Sequence, residues 1–138
     1  MHPVFHRKRI DRSTFLTVIW LGIISLSCDG KVDFNSVIRP ILSNKCYKCH
    51  GPDAKNQKSD FRLDSFGEAT KEHNGFVALT PGNLEDSEIH WRIRSEDPIE
   101  VMPPPESKMP LSEEERDLID QWIKEGGDNQ KHWSFQPL

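Results

Sequence analysis

The chain has 138 residues, 35% of them hydrophobic and 29% charged, with ten prolines, eight glycines and a formal net charge of −4. That length holds one domain plus a terminal segment, and so lean and loop-rich a composition leaves little apolar core. The acidic balance argues against nucleic acid as a partner.

At the N-terminus, Arg7, Lys8, Arg9 and Arg12 form a basic head before an apolar run of twelve, FLTVIWLGIISL at 15–26. As a helix that run is about 18 Å long, short of the roughly 30 Å hydrocarbon core, so residues 1–27 read as an export signal and not a permanent span. Ser25 and Ser27 are small residues at the two positions that govern cleavage, and place the mature start at Cys28. Loss of the signal removes four of the basic residues and one acidic residue, leaving a net charge of −7. SLSC at 25–28 resembles a lipobox, with Ser25 where leucine is usual. Cys28 is therefore either a lipidated first residue or a free thiol at the new terminus. The expected location is the periplasm or cell envelope, with membrane contact only through that lipid.

Residues 28–32 read as a linker. Phe34, Val37, Ile38, Ile41 and Leu42 then follow the spacing of an amphipathic helix, with Asp33 as N-cap and an end close to Cys46. Pro40 falls inside this pattern and should kink or split the helix. Residues 51–83 read mostly as loop, with a brief extended piece at Phe61 and Leu63 and turns at Gly75 and at TPGN, 80–83. A short helix fits Asp86 to Arg94, and the five prolines of 97–110 enforce extended or turning chain. The last helix opens on the capping box Ser112–Glu115, carries Leu111, Leu118, Ile119, Trp122 and Ile123 on one stripe, and stops at Gly126-Gly127. The expected class is all-α: a small, loop-rich domain spanning 33–127, followed by a connector at 128–138.

The chemistry lies in KCYKCH, 45–50, where Cys46, Cys49 and His50 make a C-x-x-C-H sequence. A thioredoxin-like C-x-x-C belongs beside a strand-helix unit, and no such alternation is visible. A structural zinc site needs four ligands, but no second cysteine pair exists and His73, His90 and His132 are scattered. Covalent haem needs what is present. Two thiols at i, i+3 on a helical turn reach the two vinyl groups on one edge of the macrocycle, and the next residue supplies an imidazole to the iron. A plain Cys46–Cys49 disulfide is the remaining alternative. Haem would also complete an interior that so few apolar residues leave unfinished, coupling folding to cofactor binding. For the sixth ligand, methionine is the common partner of histidine in electron-carrying c cytochromes. Met102 opens the stiff MPPP strut and is preferred; Met109, three residues before the Ser112 cap, is the alternative.

Other residues have plainer readings. Lys45, Lys48, Lys55 and Lys58 either form a basic rim that orients an acidic redox partner or are simply solvated. Arg62 either meets a haem propionate or pairs with Asp60 or Asp64. Trp91 and Trp122 read as haem-packing or core residues, and His90 and His132 as ordinary polar residues.

FNSVIRPILSNKCYKCHGPD, SDFRLDS, LTPGNLEDSEIHWRI, VMPPPESKMPLSEEERDLIDQWIKEGG and HWSFQPL, in that order, resemble the planctomycete-type cytochrome c domain over residues 33–138. The resemblance implies a class I-like cytochrome c fold holding one haem c, and favours Met102 over Met109. In that family the domain usually opens a longer protein, and the H-W-x-F motif leads into further domains, so this chain is expected to stop inside the connector. The sequence thus predicts an exported one-electron carrier, with haem bound through Cys46 and Cys49 and iron held by His50 and Met102. Its partner would be an unidentified redox protein, and no acid-base or nucleophile set for substrate turnover is evident. The rival is a ligand-binding, sensor or peroxidase-like module with an open sixth position.

Overall fold

The computed structural model describes residues 30–59 and 61–128. The signal segment, Cys28, Asp60 and the connector from 129 onward lie outside them. Among the described residues, no helix is long and apolar enough to cross a membrane.

The first helix forms where its spacing predicts it, and Pro40 divides it. Asp33 caps it, its carboxylate accepting the Ser36 amide at 2.7 Å. The opening turn, Phe34–Ile38, is π-helical, and α1 proper runs Arg39–Lys45. Proline has no N–H to continue the ladder and is tolerated only in the first turn of a helix, so the α register restarts around it. A second short helix, α2 (Tyr47–His50), follows directly, with Cys46 serving as C-cap of α1 and N-cap of α2.

The stretch expected to be loop holds more order than its composition suggests. Phe66–Ala69 forms α3, and β1 (Glu72–His73) pairs antiparallel with β2 (Phe76–Val77) across an Asn74-Gly75 turn. Both turn residues have positive φ, 53° and 91°, the type I′ geometry for which Asn-Gly is the usual signal. Phe61 and Leu63 form no strand. Then come α4 (Glu88–Arg94), a 3₁₀ turn at Pro105–Ser107, and α5 (Glu113–Lys124).

The capping box of α5 is complete: the Glu115 amide donates to Ser112 Oγ at 3.1 Å and the Ser112 amide to the Glu115 carboxylate at 2.8 Å. Its far end closes through Gly126 N–H to the Ile123 carbonyl and Gly127 N–H to the Trp122 carbonyl, a Schellman pair.

The core is where the two terminal helices meet. Phe34 and Trp122 lie 5.6 Å apart between ring centres, and Ile38, Leu42, Ile119 and Ile123 are fully buried around them. Outside this cluster the Val32 amide donates to Glu125 at 2.6 Å, fastening the lead-in chain to the end of α5. Helix α4 is locked to α5 by Asp120, which accepts from His90 Nδ1 (2.8 Å) and from Arg94 Nε (3.0 Å). Arg94 also reaches Glu113 and Asp117. Buried Ser87 holds the turn before α4, accepting the Thr80 amide at 2.9 Å and donating to the Asn83 carbonyl at 2.6 Å. The polypeptide therefore packs an apolar cluster of its own, and a largely apolar cavity lies beside it.

Candidate functional site

That cavity, of ≈ 330 Å³, opens between α2, the chain at 58–63, α4 and the Pro-rich stretch, and most of its wall is apolar. Its size suits a small-molecule or cofactor pocket, for which about 300–1,000 Å³ is usual.

One wall is the predicted motif. Cys49 and His50 amides both donate to the Cys46 carbonyl, at 3.1 and 2.9 Å, winding the segment into a turn that brings Cys46, Cys49 and His50 to the cavity together. The carbonyls that α2 leaves open are taken by the following loop: Lys58 N–H donates to Cys49 at 3.0 Å and Leu63 N–H to His50 at 2.8 Å. Both cysteines are free thiols, so no disulfide joins them. Burial, reinforced by Cys49, pushes the Cys46 thiol up to about 12, which keeps it protonated and uncharged. Burial also lowers the pKa of His50, with a weaker opposing interaction from the Phe61 backbone, which favours the uncharged imidazole. The ring stacks on Phe61 at 4.8 Å, and its Nδ1 is buried without a hydrogen-bond partner.

Phe61 and Leu63 line the cavity, while Arg62 and Asp64 between and beyond them pair with each other, Nε to Oδ1 at 2.9 Å. The alternation seen in SDFRLDSF is thus kept without a strand, and Arg62 is an ion-pair residue outside the cavity wall.

Ile89, Arg92 and Ile93 of α4 also line the cavity, together with Met102, Pro103, Pro104 and Met109. The Met102 amide donates to the Arg92 carbonyl at 2.9 Å, pinning the MPPP strut to the end of α4. Both candidate methionines therefore reach the same cavity as His50. Lys45 and Lys58 join its wall; Lys48 and Lys55 are exposed. Trp122 is core, as expected, but Trp91 is 51% exposed and outside the cavity, because its indole N–H is drawn to the Glu85 carbonyl (2.9 Å) on the solvent side of α4. His90 is the Asp120 partner already described. Ile89 and Ile93 stand one turn apart on this helix in the sequence; Arg92, three residues after Ile89, was not singled out, and that spacing was the available signal.

Two thiols, a half-buried imidazole, two thioethers and cationic groups suited to carboxylates, gathered on one largely apolar cavity, are together what a haem needs. Among the described residues, no cluster of three or more His, Cys, Asp or Glu side chains is placed to hold a bare metal ion. A helix-rich domain built around such a cavity has the make-up of a haem-binding protein. Residues 46–106, a little under half of the chain, match the family described as planctomycete cytochrome C, which supports a planctomycete-type cytochrome c domain over that stretch. The matched stretch includes Met102 and ends before Met109. No curated protein and no solved structure matches the chain.

Proposed function

We propose that this protein is an exported single-haem c-type cytochrome that carries one electron at a time. In this reading haem c is held through thioethers to Cys46 and Cys49, with His50 and Met102 as iron ligands. The observation that carries it is the convergence of these four residues, from two separate stretches of chain, on one apolar cavity. Haem iron, when bound, alternates between ferrous and ferric and supplies the redox chemistry. The chain's own part is to hold. Phe61 fixes the His50 ring, the Arg92 carbonyl fixes Met102, and the prolines after Met102 limit its backbone. The signal-like segment at 1–27 supports export, with Cys28 as the point of any lipid anchor.

The test is expression with c-type maturation machinery, followed by a denaturing-gel haem stain and an absorption spectrum. One covalent haem per chain is expected, with no carbon monoxide binding to the reduced protein at neutral pH. Met102→Ala should then bind carbon monoxide readily. It should also lose potential on the order of 0.1–0.3 V, within the roughly 0.8 V that axial ligands span. A haem-free product overturns the cytochrome reading. Carbon monoxide binding to the wild type overturns the Met102 assignment and favours an open-site module.

A further inference from the structure

We propose that an open groove beside the cavity, walled by Trp91 and floored by Phe76, is the docking face for a basic one-electron redox protein. The inference rests on the cytochrome reading above and adds where, and by what kind of partner, the electron is exchanged. The groove has a volume of ≈ 450 Å³ and lies between the β1–β2 hairpin and α4. Three independent features select it.

The first is an exposed but fixed aromatic. Trp91 is half open to solvent, yet its indole N–H is tied to the Glu85 carbonyl, so a flat apolar face is presented without the rotamer freedom that binding would have to freeze. Such rigid aromatic anchors dominate the energetics of protein contacts.

The second is a route inward. Phe76 belongs to the groove and also to the cavity wall. Its ring meets Phe61 edge-on at 5.8 Å, and Phe61 stacks on His50 at 4.8 Å. Aromatic contact is thus continuous from the groove to the imidazole, which ties this surface to electron exchange in particular. One electron passes between the haem-loaded cavity and the partner, one side being oxidised as the other is reduced, with no bond made or broken and no proton moved.

The third is charge. The groove is bordered by Glu85, Asp86 and Glu88, and no basic residue among the described residues lines it. Glu88 is matched by Arg92 at 2.7 Å, but Asp86 binds only the neutral Asn83 amide through its side chain, and Glu85 forms no ion pair among the described residues. A partner face with lysine or arginine around an apolar centre complements this arrangement. Its cations meet the carboxylates and the Trp91 ring, and steering by opposite charge speeds encounter.

The haem-loaded protein is the material for the test, and its spectrum is recorded first; a missing haem band sinks the cytochrome reading, whereas the following outcomes bear on docking alone. Reduced protein is mixed in stopped flow with tris(phenanthroline)cobalt(III), a cationic one-electron oxidant with flat aromatic ligands, and separately with ferricyanide. The cobalt rate should fall as salt is raised. Glu85→Lys and Trp91→Ala should each lower it about threefold to tenfold at low ionic strength, while ferricyanide is unaffected or faster with Glu85→Lys. Isotope-labelled protein is then titrated with lysine-ringed mitochondrial cytochrome c as the protein probe, and amide shifts should gather at residues 75–77 and 85–91. Cobalt rates unchanged in both variants, or shifts confined to residues 45–58, overturn the proposal and place docking at the lysine rim.

Discussion

A Cβ built on Gly51 would come within 2.3 Å of the Tyr47 carbonyl oxygen and 2.8 Å of the Tyr47 Cβ. Glycine is needed there because the chain leaves α2 by folding back over its own last turn, which lets Leu63 N–H reach the His50 carbonyl. Gly51→Ala should therefore push His50 out of place. A loss of about 1–3 kcal/mol by chemical denaturation of the haem-loaded protein is expected, the usual scale of overpacking. Unchanged stability would mean that the turn relaxes freely. The residue-scale chemistry of Cys46, Cys49 and His50 was legible in the sequence because the i, i+3 spacing is local and a single turn realises it. The role of Arg92 was not, since its carbonyl meets Met102 only once two segments are folded together.

Among the elements, α5 is the one whose sequence states most about itself, and its cap makes a direct test. Ser112→Ala removes one half of the capping box and should cost about 1 kcal/mol in a denaturant or thermal melt. At the other terminal helix, Asp33 has its carboxyl lowered below the ordinary 3.8 by hydrogen bonds from the Ser36 side chain and backbone. A lowered folded-state pKa contributes stability that is present above the unfolded value and lost as pH falls through the folded one. Asp33→Asn, which retains a cap, should therefore flatten the part of the stability profile below about pH 4 that Asp33 contributes. A pH melt series on both proteins checks this, and superimposable profiles would remove Asp33 from the account. The small elements α3 and the hairpin were not legible as a fold. Each is too short to show a period, and the Asn74-Gly75 signal acquires meaning only when Phe76 is seen against Phe61.

For the molecule as a whole, the balance lies between the packed cluster of the terminal helices and the cavity beside it. With nothing bound, the largely apolar wall of the ≈ 330 Å³ cavity is left facing water, a loss of burial that a chain with so small a core is poorly placed to absorb. Cys46→Ala with Cys49→Ala, which removes both attachment points, should accordingly give a mostly unfolded chain by circular dichroism. A cooperative, native-like melt would show instead that the cluster around Phe34, Ile119 and Trp122 suffices alone.

Sequence by itself determined the two terminal helices with their caps, the haem-type attachment motif and the choice of two methionines, because spacing and capping are local properties of a chain. Only the tertiary structure decided that His50, Met102 and Met109 share one cavity, that Arg62 pairs with Asp64 outside it, and that Trp91 faces solvent. Each of those outcomes depends on which side of a short element its neighbours cover. That is fixed by contacts between segments far apart in sequence, such as Arg92 with Met102 and His90 with Asp120.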